Sequence, residues 1–425
     1  MSEQLDILVI GINYAPEVTG VACYSTGIAR GLSAAGHRVR VVTGFPHYPA
    51  WAFAPGYETG AWRRERDGDV DVLRVRHPLP RNTLGPGRVV MEAVFALEAA
   101  VAAGRPPDLV LVMSPSLMSV GAGLARRFGT RTAVGVVVQD LYSRAFPETG
   151  AMNGRGRSLV TRLESALLRG ADGVSVLHDR FRDSVLGLGV DPSRIVVIRN
   201  WSHVVTSTAD RAATRAAFGW SPDETVVLHA GNMGYKQGLE NVVEAARLAD
   251  ERGAPIRFVL LGDGARREAL QTLGAGVERL EFRAPLPDGQ FEDAMAAADM
   301  LLLNEKPEVS DMCVPGKLTS YFAAGRPVLA VTDPRSGGAS EVLAARGGVL
   351  VGSGDPSLLL KTAWALRDDP RQCAALGEGG RAYADAVLTE EAALGAYEEW
   401  AEAMVARRRS EAGRRSEAGG RSRWT

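Results

Sequence analysis

The chain has 425 residues, of which 46% are hydrophobic and 23% are charged. This length predicts two or three domains, since a domain usually takes roughly 100–200 residues. The composition is too apolar for disorder, and no charge-free run of about 18 residues is present that would span a bilayer. The start, MSEQLDILVIG, lacks the basic segment of a secretory signal. The three cysteines lie far apart without a CxxC pair, which disfavours a disulfide framework and structural zinc, so we expect a cytoplasmic protein.

The formal net charge of −1 conceals a basic C-terminal segment. Residues 407–425 carry seven arginines and only two glutamates, so the rest of the chain is moderately acidic. An acidic body disfavours nucleic acid as a partner, because binding to the phosphate backbone needs a basic face on the folded part. Lysine is rare in this chain, and the position of each one is therefore informative. The four lysines are Lys236, Lys306, Lys317 and Lys361.

Short apolar runs alternate with helical patterns along the first 200 residues. The predicted strands are LDILVIG, VRVVTG, DVLRV, DLVLVMS, TAVGVVVQD, GVSVL and RIVVIRN. Helical patterns include residues 20–36 and 117–129, each of which ends at a glycine suited to a helix C-terminus. Strands that are rich in Val, Ile and Leu on both faces and alternate with helices are typical of βαβ units in a buried parallel sheet.

A second series of the same kind follows an interruption at about residues 201–222. Its predicted strands are TVVLHAG, IRFVLLG, LEFRAPL, MLLLN, RPVLAVT and GVLV, with helical patterns at 238–252 and 288–298. The predicted fold class is therefore α/β, with two Rossmann-like, doubly wound domains. We place an N-terminal domain at residues 1–204, a C-terminal domain at 205–389, a long helix at 390–406 and a disordered basic tail at 407–425.

Glycine-rich loops follow several of the predicted strands, at the sheet edge where ligands of open α/β sheets bind. The first loop spans residues 11–20 and is not GxGxxG. No acidic residue follows it at the dinucleotide spacing, which disfavours a nicotinamide or flavin cofactor; an ordinary turn is the alternative reading.

The second half contains a stronger combination of loops. Gly231 opens one loop before a helix, Gly262 and Gly264 lie in another, and Lys236 and Lys317 also lie in loops after strands. A lysine charge beside free backbone N–H groups is what a diphosphate requires. These residues predict a phosphate-bearing ligand.

Seven stretches of the chain occur in a characteristic order over about residues 6–355. They are INYAPEVTGVACYSTGIARGLSAAGHRVRVVTGFPHYP, VVVQDLY, GVDPSRIVVIRNW, HAGNMGYKQGLENVVEAA, LLGDGARREAL, VPGKLTSYFAAGRPV and GGASEVLAARGGVLV. This succession resembles the GT-B glycosyltransferases of family 4, and particularly the bacterial polysaccharide-biosynthesis branch with its colanic acid and O-antigen fucosamine-type transferases.

The resemblance implies two Rossmann-like domains that face each other across a cleft. The N-terminal domain would bind the acceptor and the C-terminal domain a nucleoside-diphosphate-sugar donor, while the helix at 390–406 crosses back to the first domain. Such enzymes usually retain the anomeric configuration without a metal, so we expect no cofactor and no metal. Asp67, Asp69 and Asp71 have DxD spacing, but they open the strand DVLRV and indicate a surface turn. Without a metal, cationic side chains and helix dipoles must neutralise the leaving diphosphate.

The chain departs from the family pattern ahead of the AAGRPV stretch. Many members carry two glutamates there, separated by seven residues, and the second binds the ribose hydroxyls. Met312 and Ser320 occupy these two positions here. Asp311, Pro315 and Lys317 lie in the same loop and look like a variant of this branch, so Asp311 and Ser320 are candidate donor-binding residues.

A second departure lies in the loop that begins at Gly231. Asn232 stands at the position of the family's arginine and Gln237 at that of its lysine, with Lys236 one place earlier. We hypothesise that Lys236 and Lys317 together take over diphosphate binding. The alternative is that each is a solvated surface lysine.

Candidate residues of the N-terminal half lie in three loops. Gln139 and Asp140 follow a buried strand where related enzymes often have a histidine near the reacting sugar, and we expect both to contact the reacting centre. A helix N-cap is the alternative for Asp140. His47 and Tyr48, in FPHYP, are candidates for positioning the acceptor together with Gly20; a turn held by two prolines is the alternative.

These features predict a retaining, metal-independent glycosyltransferase that moves a sugar from a nucleoside-diphosphate-sugar donor to a hydroxyl of a glycan, lipid-linked or metabolite acceptor. A nucleotide-sugar epimerase on the same fold and a non-catalytic subunit of a glycan assembly complex are the alternatives. The apolar segment 89–103 is too short to span a membrane and either lines a groove or packs in the core. The arginine-rich tail would either attract anionic lipid or act as a solubilising extension, which leaves open a peripheral contact with the inner face of the plasma membrane.

Overall fold

The computed structural model divides into two compact units. The described residues are 3–18, 20–80, 86–102, 104–114, 116–143, 154–202, 206–287, 289–307 and 316–421. The N-terminal unit comprises Met1–Arg199 together with Ala393–Thr425, and the C-terminal unit comprises Asn200–Ala392. The end of the chain therefore rejoins the unit in which the chain begins.

The described strands of the N-terminal unit form one twisted sheet. They are β1 (Asp6–Ile10), β2 (Arg38–Gly44), β3 (Trp62–Asp67), β4 (Val70–Val75), β5 (Leu109–Met113), β6 (Ala133–Val138), β7 (Gly173–Val176) and β8 (Ile195–Val197). Their spatial order is β3-β4-β2-β1-β5-β6-β7-β8, and all pairs are parallel except β3–β4. Every residue of β5 and β6 is buried, as expected of central parallel strands. The parallel sheet predicted from the sequence is confirmed.

Strand β3 was not predicted, because its sequence, WRRERD, has no apolar face. It lies at the edge of the sheet and pairs antiparallel with β4, from Trp62 opposite Val75 to Asp67 opposite Val70. Charged side chains on an edge strand discourage pairing with further strands. Residues 68 and 69 form the turn of this hairpin, which agrees with the surface turn expected there.

Helices connect the parallel strands of this unit. They are α1 (Val21–Ala34), α2 (Pro86–Ala102), α3 (Leu117–Ala125), α4 (Gly154–Gly170) and α5 (Asp179–Gly187). Helix α1 buries aliphatic residues on the face toward the sheet, including Ile28 and Leu32. Helix α5 begins after His178, whose Nδ1 accepts a 3.3 Å hydrogen bond from the backbone N–H of Phe181.

The described strands of the C-terminal unit form a second, wholly parallel sheet. They are β9 (Thr225–Ala230), β10 (Ile256–Leu261), β11 (Leu280–Arg283), β12 (Met300–Asn304), β13 (Val328–Val331) and β14 (Gly348–Val351). The spatial order is β11-β10-β9-β12-β13-β14. The chain reverses its direction of winding between β9 and β12, which pair directly, and such a switch point is where open α/β sheets bind ligands.

Helices cover both faces of the second sheet. They are α6 (Arg211–Phe218), α7 (Glu240–Glu251), α8 (Arg267–Leu273), α9 (Gln290–Ala297), α10 (Lys317–Ala323), α11 (Gly337–Ala345), α12 (Pro356–Arg367) and α13 (Pro370–Val387). One core contains Val243 of α7 and Leu359 of α12, and the other contains Met295 of α9 and Tyr321 of α10. These two cores sandwich the sheet and confirm the doubly wound fold class.

The last helix, α14 (Glu390–Arg421), packs on the N-terminal unit from Ala393 onward. Its contacts need small residues in that unit: a Cβ on Gly173 would lie 2.5 Å from Sδ of Met404. The helix extends beyond its predicted end at Ala406, where the sequence indicated a disordered tail. Arg407 donates to the carbonyl oxygen of Asp172, and Arg409 donates to Asp108 at 3.0 Å, so folded partners extend the helix into the basic segment. Among the described helices, none is long and apolar enough to cross a membrane.

Candidate active site

The loops after β9 and β10 meet at the carboxyl edge of the second sheet, at the switch point. Gly231 has φ +127° and Gly262 has φ +137°, conformations that other residues rarely adopt. A Cβ on Gly262 would lie 2.0 Å from the carbonyl oxygen of Gly231, so a side chain at that position would collide with backbone. Two of the three glycines predicted as donor-binding residues, Gly231 and Gly262, are therefore brought together.

The loops are further joined by hydrogen bonds around Asn232. Met233 donates its backbone N–H to the carbonyl of Asp263 at 2.8 Å. A Cβ on Gly264 would lie 2.5 Å from Oδ1 of Asn232. Asn232 is exposed at this junction, where a ligand has access to its side chain.

Gln237 and Lys236 lie on a short 3-10 turn, Tyr235–Gln237, in the same loop. The Gln237 side chain accepts a 3.0 Å hydrogen bond from the backbone N–H of Gly234, and the backbone carbonyl of Gln237 accepts one from the Asn304 side chain at 2.7 Å. Gln237 thus stabilises the loop from within. Lys236 is exposed, and its carbonyl accepts from the backbone N–H of Lys306 at 3.0 Å.

Lys317 reaches this edge from α10. Its Nζ lies 3.3 Å from Nε2 of His229 and 3.7 Å from the position that a Cβ of Gly231 would occupy. Burial lowers the pKa of Lys317 to about 8, and the nearby Glu305 carboxylate opposes this shift. The lysine is therefore a cation in a low-dielectric setting directly beside the Gly231 turn.

Tyr321 anchors the helix that carries Lys317. Its hydroxyl donates to the carbonyl of Ala230 at 3.2 Å and accepts from the backbone N–H of Ala230 at 2.9 Å. Ser320, the residue at the family's second glutamate position, is partly buried on the same helix, three residues after Lys317. Asp311, the remaining donor candidate, lies outside the described residues, as do Met312 and Pro315.

Two residues of this site were not identified from the sequence. His229 is fully buried, and burial together with the charge of Lys317 lowers its pKa well below the usual value, so the ring is neutral. Glu305 follows β12 directly and accepts a 2.6 Å hydrogen bond from the hydroxyl of Thr332, which follows β13. Both residues lie at the ends of predicted strands, and this position is the only sequence feature that could have indicated them.

A separate cluster forms in the N-terminal unit around Glu17. Its carboxylate is buried and accepts hydrogen bonds from the backbone N–H groups of His47 at 2.7 Å and Tyr48 at 2.8 Å, and from the side chain of Asn13 at 2.8 Å. A Cβ on Gly20 would lie 3.4 Å from the ring of Tyr48. The three predicted acceptor-side residues therefore come together, held by a carboxylate that was not predicted from the sequence.

His47 and His77 pack against each other beside this cluster. Their ring centroids are 4.6 Å apart, and both rings are buried. Burial lowers the pKa of His47, and burial together with the neighbouring His47 lowers the pKa of His77 to about 4. His47 donates from Nδ1 to the carbonyl of Phe45 at 3.0 Å. Because the pKa values of both rings are lowered from 6.5, both rings are neutral near pH 7. His47 therefore contributes shape and a hydrogen bond at that pH rather than charge.

Gln139 and Asp140 lie directly after β6 in the N-terminal unit. Gln139 is buried, and Asp140 accepts from the backbone N–H of Leu141 at 2.9 Å through Oδ1. Glu164 of α4 holds the next residues, since its carboxylate accepts from the backbone N–H groups of Tyr142 at 2.8 Å and of Ser143 at 3.1 Å. Burial raises the pKa of Glu164, a further residue that the sequence did not indicate.

Two Rossmann-like units with a glycine-and-lysine site on the second are the architecture of GT-B glycosyltransferases. Residues 19–201 match the model of the glycosyl transferase 4-like domain, and residues 224–369 match that of the glycosyl transferases group 1. The chain belongs to this family of glycosyltransferases, as the motifs in its sequence indicated.

One relative agrees with this assignment in sequence, and two solved structures resemble the chain in fold. The chain is 32% identical to WcaI of Escherichia coli K12, a glycosyl transferase assigned to colanic acid biosynthesis, over 76% of this chain and 82% of that protein. Its fold is similar to sucrose-phosphate synthase from Thermosynechococcus elongatus, with a TM-score of 0.70, 19% identity and coverage of 94% and 99% of the two chains. It is also similar to HepE of Anabaena, solved in complex with UDP, with a TM-score of 0.66, 17% identity and coverage of 93% and 98%.

Proposed function

We propose that this glycosyltransferase moves a sugar from a nucleoside-diphosphate-sugar donor to a hydroxyl of a glycan, lipid-linked or metabolite acceptor, with retention of configuration and without a metal. The observation that carries the proposal is the position of Lys317. Its Nζ lies beside the Gly231 turn and 3.3 Å from His229, at the switch point of the second sheet. HepE, a structural neighbour, was solved with UDP, which supports a nucleotide donor.

The donor diphosphate would bind at the turns of Gly231, Gly262 and Gly264. The absence of side chains there allows phosphate oxygens to approach backbone N–H groups. Lys317 would contribute the charge that stabilises the diphosphate as it leaves, and a charge at a partly buried site acts more strongly than one in water. Lys236, exposed on the adjacent turn, would add a second charge, and Ser320 and Asp311 would contact the ribose side of the donor.

Two positions support metal independence: that of Lys317 beside the proposed diphosphate site, and that of Asp67, one of the carboxylates with DxD spacing. Lys317 occupies the role that a divalent ion would otherwise fill at the diphosphate. Asp67 accepts from the Tyr14 hydroxyl at 2.9 Å and from Arg30 at 2.8 Å, so its carboxylate already has partners in the N-terminal unit. Activity in EDTA equal to that in added Mg²⁺ is the expected result.

The acceptor would be positioned by the N-terminal unit. Glu17 fixes the loop that presents His47 and Tyr48, and Tyr48 is partly exposed. Gln139 and Asp140, after β6, would contact hydroxyls at the reacting centre. In the retaining mechanism proposed here, the acceptor oxygen attacks the face that the diphosphate leaves, and a diphosphate oxygen takes the acceptor proton. The new glycosidic bond replaces the bond to the diphosphate, so no covalent intermediate is required of these side chains.

We place the enzyme in the cytoplasm, with a peripheral contact at the inner face of the plasma membrane when its acceptor is lipid-linked. Helix α2 supports this contact, because Val90, Leu97 and Val101 are exposed along one side of it. Co-sedimentation with vesicles of phosphatidylglycerol and phosphatidylcholine tests the contact. Leu97→Ser should reduce the bound fraction, whereas the same change at exposed Leu273 of α8 should not; equal binding by all three proteins would contradict the contact.

The donor assignment is tested with radiolabelled UDP-, GDP- and dTDP-sugars in the absence of acceptor. At least one donor should bind and hydrolyse slowly. When an acceptor is supplied, NMR of the glycoside formed should show the anomeric configuration of the donor. Lys317→Ala should lower donor turnover by about 100-fold, the usual loss for a group that stabilises developing charge. Full activity in Lys317→Ala, or binding of none of the donors, would contradict the proposal.

A further inference from the structure

His229 is a fully buried side chain in β9 to which the proposed donor site assigns no role. Its Nε2 lies 3.3 Å from Nζ of Lys317 and 3.3 Å from the carbonyl oxygen of Asn232. These neighbours require opposite states of one nitrogen. A lysine ammonium donates and needs a lone pair on Nε2, whereas a carbonyl oxygen accepts and needs an N–H there. A charged Lys317 therefore favours the tautomer in which Nε2 accepts and the buried Nδ1 carries the proton.

The contact constrains the end of the lysine side chain. Tyr321 fixes the backbone of α10 through its hydrogen bonds to Ala230 and therefore fixes the base of Lys317. His229 holds the tip of the same side chain, close to Gly231. Glu305 also faces the lysine and favours its charged form. A free lysine side chain has many rotamers and loses conformational entropy when it binds a diphosphate. A fixed acceptor restricts these rotamers beforehand and so reduces the entropy lost on binding.

We propose that His229 is a positioning residue that holds the Lys317 ammonium group against the Gly231 turn, where it meets the donor diphosphate. The inference rests on the proposed function, since it takes Lys317 as the diphosphate contact. His229 acts through the lysine, because its ring is buried beneath the loop. A neutral acceptor suits this role, since it holds the ammonium group without neutralising its charge.

Two substitutions separate this role from simple packing. His229→Leu removes the acceptor at similar volume, and His229→Gln brings an amide oxygen close to the position of Nε2. UDP, GDP and dTDP are titrated calorimetrically against the full-length wild type, and the tightest binder is then used for all variants. His229→Leu should weaken binding about tenfold or more, as expected for loss of a charge-assisted hydrogen bond. His229→Gln should restore most of the affinity, and Lys361→Ala, on the exposed side of α12, should match the wild type.

A double-mutant cycle with Lys317→Ala gives the decisive comparison. Once the lysine is removed, His229→Leu should have little further effect on nucleotide binding. Nucleotide affinity should fall as pH rises and Lys317 loses its proton. In His229→Leu this fall should occur at lower pH than in the wild type, because loss of the acceptor disfavours the charged lysine. If His229 only filled space, His229→Leu would lower the melting temperature without changing the pH at which nucleotide affinity falls.

The possible failures point to different conclusions. Unchanged nucleotide binding in Lys317→Ala, or binding of none of the three nucleotides by the wild type, overturns the proposed donor site and this inference with it. Weakened binding in Lys317→Ala alone, with His229→Leu equal to the wild type, overturns only the positioning role. Additive losses in the double variant, or a His229→Leu loss that His229→Gln does not restore, also overturn it.

Discussion

The backbone N–H of His47 donates a 2.7 Å hydrogen bond to Oε1 of Glu17, a residue 30 positions earlier in the chain. The same carboxylate also accepts from Tyr48 and Asn13, so one buried side chain satisfies donors of two loops. Buried donors left without a partner are costly, and the carboxylate is therefore a structural requirement for the acceptor-side loops.

Glu17→Ala should lower the free energy of unfolding by about 2–4 kcal/mol, because it leaves buried N–H groups unsatisfied. Glu17→Gln keeps one acceptor oxygen and should lose less. Urea unfolding measures both variants, and Glu251→Ala, at the exposed end of α7, is the control that should change stability by less than about 0.5 kcal/mol. A Glu17→Ala protein as stable as this control would contradict the assigned role.

The pH dependence of donor use should reflect Lys317. Burial lowers its pKa to about 8, and only the charged form can neutralise the diphosphate. The value of kcat/KM for the donor should therefore fall as pH rises through about 8. Lys317→Arg keeps its charge at all these pH values and should lack this alkaline limb, whatever its absolute rate. The exposed Lys361→Arg should keep the limb, and a limb that persists in Lys317→Arg would assign the titration to another group.

Sequence patterns located the strands and the loops of the candidate site, because buried parallel strands are continuous apolar runs and their carboxyl ends are fixed by topology. Gly231, Gly262 and Lys317 were found in this way. His229, Glu17 and Glu164 were not found, because the role of each depends on a hydrogen-bond partner that is distant in sequence. Lys317 is 88 positions from His229, and no local period encodes that approach.

The edge strand β3 and the length of α14 show that local sequence patterns are also insufficient to predict some secondary structure. The sequence WRRERD reads as a polar connection, and only pairing with β4 makes it a strand. The segment after Ala406 has the composition of a tail, yet Arg409 finds Glu3 and Asp108 on the N-terminal unit. Tertiary partners override local composition in both cases.

Protein stability should decrease on acidification through the titration of His77. Its pKa is about 4 in the folded protein against a usual 6.5, so the unfolded chain binds the proton more readily. The stabilisation is complete above about pH 6.5 and is lost as pH falls toward 4, which amounts to about 3 kcal/mol. His77→Phe keeps a buried ring and should show a smaller loss over this interval in urea unfolding. His178, whose pKa burial also lowers to about 4, remains in that variant and leaves part of the slope. Identical slopes in the two proteins would contradict the prediction.

The packing of α14 on the N-terminal unit depends on the absence of a side chain at Gly173. A Cβ there would lie 2.5 Å from Sδ of Met404 and 2.8 Å from Nε1 of Trp400, both on α14. Gly173→Ala should therefore lower stability by about 1–3 kcal/mol, the usual cost of overpacking, with a matching fall in the urea midpoint. Gly187→Ala is the control, because its Cβ would meet no atom within 4 Å, and it should be neutral or slightly stabilising. Shortening Met404 to Ala should cost less in the Gly173→Ala background than in the wild type, since it removes the collision; equal costs would show that α14 does not pack at Gly173 in solution.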